Sequence, residues 1–113
     1  MQIQVIKDKL PEYVKEQGKI INYAECKNDE LFLEMLITQV GTACNQFFQQ
    51  PTMENIVEIQ LVLEAIIKAN SIPSEMYEEI KRQIVETQGT YDNRYIGFFQ
   101  ESAAQADTET ENA

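Results

Sequence analysis

The sequence has no histidine, and its only cysteines among 113 residues are Cys26 and Cys44. These two lie far apart and fit no CxxC or zinc-ligand spacing. With imidazole missing as well, a zinc or haem centre is not expected. Two separated thiols suit a reducing compartment, so free cysteines in a cytoplasmic protein are the expectation. No run of about 18 or more apolar residues exists, so no transmembrane helix is read. The N-terminus lacks a basic region leading into an apolar stretch and a small-residue cleavage site, so no signal peptide is read either. Base is scarce too. Nine Lys and Arg stand against nineteen Asp and Glu, a formal net charge of -10. Nucleic acid polymers and anionic membrane surfaces are polyanions, and a protein this acidic is not expected to bind them.

What is present is a length suited to one domain with a single modest core. The charge is unevenly spread. Residues 1–27 carry five lysines and four acids, residues 28–80 nine acids and one lysine, and residues 101–113 four acids and no base. A small anion can therefore be met locally, near the N-terminus or around Lys81, Arg82 and Arg94.

The pattern along the sequence predicts an all-α fold of four to five helices. Ile3 and Val5 alternate with Gln2 and Gln4, which permits a short extended arm. Pro11 suits a first helical turn, and a short helix over 11–17 should stop at Gly18. Lys19–Tyr23 reads as a short strand or an extended linker. Two long helices then fill 31–70, joined at Gln49-Gln50-Pro51-Thr52. Asn28 or Asp29 caps the first. Phe32, Met35, Leu36, Val40, Ala43 and Phe47 give it one apolar face, which Leu33, Ile37, Cys44 and Phe48 widen. Gly41 inside it costs about 1 kcal/mol against Ala and suggests a close neighbouring backbone. The second helix, capped by Thr52, is apolar nearly all round from Ile56 to Ala69, and such a helix is buried on most faces. A bundle of this size hides one poorly, so a second copy is expected to cover part of it, as a homodimer or homotetramer. Ser74 should cap a fourth helix with Tyr77, Ile80 and Ile84 facing inward, ended by Gly89. The aromatic Thr90–Phe99 is expected to be ordered and packed back, and the acidic tail 101–113 to be disordered.

Two motifs carry a resemblance. The opening V-I-K-D-K-L-P-E (Val5–Glu12) is similar to V-R-D-K-I-P-E, and the closing Q-G-T-Y-D-N-R-Y-I (Gln88–Ile96) to R-G-G-F-E-K-R-I, of the MazG-like, all-α NTP pyrophosphohydrolases. Leu31–Leu36 and Val62–Ile66 match that family in character, so the likeness runs from about Val5 to Phe99. The family's chemistry uses E-E-x-x-E on one helix and E-x-x-D on the next. Residues three and four apart share a helix face, and two such faces hold Mg²⁺ on oxygen ligands, which binds phosphates and activates water. Here the first of these motifs falls on Thr42, Ala43 and Gln46, and the second on Glu58 and Leu61. Only Glu58 is acidic, and no Asp or Glu lies between Met35 and Gln50. No metal site and no catalytic residue is therefore read, and no cofactor.

The resemblance leaves the residues that would hold a nucleotide better served. Lys7 and Lys9 stand at the basic pair of the opening motif. Arg94 stands at the arginine of the closing motif, beside Asn93, and Tyr91 replaces an aromatic that can pack on a base. With Glu58 and Gln46 these form the candidate ligand site, a cationic clamp with an aromatic surface. The leading expectation is a non-catalytic, nucleotide-binding member of the fold that sequesters or senses a phosphorylated ligand. One form of it is a phage-type sponge for a host immune nucleotide signal. Two alternatives stay open. One is an acidic module that docks on or inhibits a basic protein partner. The other is a residual pyrophosphohydrolase using Glu34, Glu58 and Glu64.

Overall fold

The computed structural model describes residues 3–100, and all regular structure in that range is helical. The four helices are α1 (Leu10–Glu16), α2 (Asp29–Gln49), α3 (Met53–Ala69) and α4 (Ser74–Gln88). The protein divides into two units, Met1–Tyr77 and Glu78–Ala113. The acidic tail from 101 onward lies outside the described residues.

The first unit is built on α2 and α3, which pack against each other. Three residues, Gln50 to Thr52, connect them, and so short a link makes the pair antiparallel. Each N-terminus of the hairpin is satisfied by a side chain. Asn28 Oδ1 accepts from the Leu31 N–H at 3.0 Å, which settles the cap of α2 on Asn28. Thr52 Oγ1 accepts from the Asn55 N–H at 3.2 Å and caps α3. The Asn55 amide also donates back across the connection, to the carbonyls of Gln50 at 2.8 Å and Gln46 at 3.4 Å. The shorter bond occupies the Gln50 carbonyl, which lies past the last helical donor of α2.

The core of this hairpin is narrow. Leu36 and Ala43 on α2 and Val62 on α3 are the buried side chains among the described residues. Leu36 and Ala43 are seven residues apart, two turns along one face. Leu33, Val40 and Phe47 flank them at helical spacing, and Asn55, Ile59 and Ile66 flank Val62, all half-buried. At 2 % exposure, Ala43 is where the two helices come closest to excluding everything else.

The predicted apolar faces are thus only partly covered. A second stripe on α2 (Ile37, Gly41, Cys44 and Phe48) is exposed, Phe48 at 85 %. On α3, Met53, Val57 and Leu61 form another exposed stripe at spacings of four, with Ile56 and Leu63 exposed beside it. The close backbone expected at Gly41 is not found, because a Cβ there would meet nothing within 4 Å.

α1 starts one residue earlier than the sequence pattern suggests, with Pro11 in its first turn, and Gly18 follows at φ +82°. Residues 19–28 carry no regular structure and enter no strand, so Lys19–Tyr23 is the linker of the two forms expected. In the second unit and its approach, three expectations are corrected. Ser74 is the first residue of α4 and not its cap; the Pro73 carbonyl accepts from the Met76 and Tyr77 N–H groups instead. Tyr77, Ile80 and Ile84 do line up at helical spacing, yet each is about half exposed. Tyr91, Tyr95, Ile96, Phe98 and Phe99 are not packed but almost fully exposed. Apolar periodicity marks a face without stating whether the same molecule covers it.

Replacing Ala43 by Leu forces extra methylene groups into the one place where α2 and α3 leave none free. The expected loss is about 1–3 kcal/mol of stability, measured by chemical denaturation.

Candidate functional site

The N-terminal arm crosses the helical hairpin. Ile3 and Gln4 lie beside Met35, Thr38, Gln39 and Thr42 of α2 and line an open groove of about 110 Å³ with them. Three residues further on, Lys7 Nζ donates to Glu58 Oε1 of α3 at 2.6 Å. Three extended residues reach about 10 Å, and packed helix axes are about 8–10 Å apart, so this length is what a crossing from α2 to α3 requires. Val5 and Ile6, between the two anchor points, are half-buried. The crossing therefore combines an apolar seat, one ion pair and a polar groove.

The groove carries no charged group. Gln4 and Gln39 supply amides, Thr38 and Thr42 hydroxyls, and Ile3 and Met35 apolar walls. Both hydroxyl hydrogens are already engaged within α2: Thr38 Oγ1 donates to the Glu34 carbonyl at 3.0 Å and Thr42 Oγ1 to the Thr38 carbonyl at 3.4 Å. Such back-bonding occupies the donor and leaves hydroxyl lone pairs for another partner. A pocket that buries a whole drug-sized ligand measures about 300–1,000 Å³, and this groove is smaller than that.

Of the predicted ligand residues, the structure brings Lys7 and Glu58 together. Lys9 is exposed at the N-terminal boundary of α1, with its carbonyl accepting from the Tyr13 N–H. Gln46 is exposed on the last turns of α2, and the contacts it makes use its backbone carbonyl. Tyr91, Asn93 and Arg94 belong to the second unit. They form a turn there, closed by the Arg94 N–H donating to the Tyr91 carbonyl at 3.1 Å, with Arg94 at φ +60°. Arg82 is a poor anion receptor, since the carboxylates of Glu79 and Glu86 already occupy it. The Arg82 hydrogen bond, helped by one from Gln83, holds the Glu79 carboxyl below its ordinary value, and Glu79 and then Glu86 raise Arg82.

Among the described residues, no three His, Cys, Asp or Glu side chains gather as a metal site would need. No helix there is long and apolar enough to cross a membrane. Sequence reasoning missed Gln4, Thr38 and Gln39. A Gln-Ile-Gln arm and a polar i, i+4 pair of threonines are too common to stand out until the arm is seen lying on the helix. No family model, no curated protein and no solved structure matches this protein.

Proposed function

We propose that this protein is a non-catalytic nucleotide binder on a MazG-like scaffold, which sequesters or senses a phosphorylated ligand without a metal ion. The observation that carries the reading is the Lys7–Glu58 contact. Glu58 is the one acid at the positions where the resemblance puts a metal cluster, and its counter-ion is an ammonium from the opening motif of the same molecule. A lysine offers three N–H donors. One meets Glu58, and the others are available to phosphate oxygens as charge-assisted hydrogen bonds. The α2 residues beside the arm, Thr38, Gln39 and Thr42, are all uncharged, and Thr42 stands at one of the positions where the resemblance puts a carboxylate. Nothing in that set activates a water for attack. The site so proposed lies wholly within the unit Met1–Tyr77.

Calorimetric titration in EDTA against NTPs, dNTPs, ADP-ribose-type and cyclic nucleotides tests this reading. At least one should bind, with affinity unchanged on adding Mg²⁺. Lys7→Gln should weaken that binding about 10-fold or more, the scale of a hydrogen bond to a charged group. Binding of none of them, or pyrophosphate release that Glu58→Gln abolishes, would contradict it.

The same scaffold is proposed to assemble as a homodimer or homotetramer through α2 and α3. Support comes from the uncovered stripes Ile37–Phe48 and Met53–Leu61, since contiguous apolar surface of this kind marks an interaction face. Gly41 and Cys44 are small enough there to admit a close neighbour, and Gly41 has open space above it. Light scattering coupled to size exclusion should give a mass of two or four protomers, and Phe48→Glu should reduce it. A monomer at micromolar concentration would refute the assembly.

A further inference from the structure

We infer that the groove between the arm and α2 is a base subsite that selects for an amino-bearing edge, and so for adenine over hypoxanthine nucleotides. This rests on the nucleotide-binding reading above and names which end of the ligand goes where. Lys7 is the cation at the α3 end of the arm, three residues from Gln4, a reach of up to about 10 Å. That spacing places a phosphate contact and the groove at opposite ends of one ligand. The groove is uncharged, so its occupant is the neutral end. At about 110 Å³ and open to solvent, it accommodates a flat ring system at one end of a ligand that extends beyond it. Met35 gives a polarisable wall for such a ring.

Selectivity follows from the hydroxyls. Thr38 has its hydrogen on the Glu34 carbonyl and Thr42 on the Thr38 carbonyl. Both therefore present acceptor oxygens to the groove, unless a hydrogen bond to the helix is broken first. Adenine offers N–H donors from its exocyclic amino group. Hypoxanthine has a carbonyl oxygen at that position, which meets a threonine oxygen lone pair to lone pair, and only its single N1–H donates on that edge, against the two N–H bonds of the adenine amino group. The Gln4 and Gln39 amides can each turn to give a donor or an acceptor. They complement either base, so the threonines set the choice.

The test compares ATP with ITP by calorimetry in EDTA, on the wild-type protein and on Thr38→Val and Thr42→Val. ATP should bind about tenfold more tightly than ITP, and Thr38→Val or Thr42→Val should reduce that ratio to about threefold or less, by weakening ATP binding and relieving the repulsion felt by ITP. Thr38→Ser keeps the hydroxyl and should keep the ratio, which guards against a valine variant that folds poorly. Equal affinity of the wild type for ATP and ITP, or tighter binding of ITP, overturns the inference and leaves the nucleotide reading standing. Binding of neither also overturns it, and the wider nucleotide panel then decides the reading itself.

Discussion

The contact between α2 and α3 is the constraint on which the rest of the site depends. It is narrow, centred on Leu36, Ala43 and Val62, with a ring of half-buried neighbours. A small residue at Ala43 lets the helices approach, and the three-residue connection with its Asn55 and Thr52 bonds sets their register. Only when the two helices are side by side does the arm have two surfaces to cross. Ile3 and Gln4 meet α2 and Lys7 meets α3 because one segment spans the pair.

The ion pair at the end of that crossing is worth little as a stabilising contact. Its side chains are 58 % and 37 % exposed, and exposed pairs contribute about 0–1 kcal/mol. Its importance to the proposed function is positional. A lysine held by one carboxylate is oriented without being neutralised by a second or third, in contrast to Arg82, which two acids enclose. The uncharged threonines and glutamines of the groove add no repulsion towards an anionic ligand. In the proposed reading, the loss of acids from α2 removes a metal requirement and a barrier to anion binding at once.

Much of the fold was legible in the sequence because its signals are local. Both long helices, their caps and the break at Pro51 follow from periodicity, side-chain capping and the missing proline N–H. What was not legible is long-range. The pattern marked Ile80 and Ile84 as a face, and Thr90–Phe99 as aromatic, but could not say that these residues stand exposed. It assigned Gly41 a close neighbour that is not present. For the site, Lys7 and Glu58 were named for separate reasons, 51 residues apart, and nothing local pairs them. The groove was invisible for the same reason: Gln4 and Thr38 become neighbours only through the crossing of the arm.

The central claim is that this crossing holds a nucleotide without a metal. Following the backbone amide resonances of the labelled protein as ATP is added in EDTA tests it most directly. Saturable shifts are expected at Gln4, Lys7, Thr38, Gln39 and Thr42, unchanged by later addition of Mg²⁺. Saturable shifts confined to Tyr91–Arg94, or shifts at the arm that appear only once Mg²⁺ is added, would contradict it.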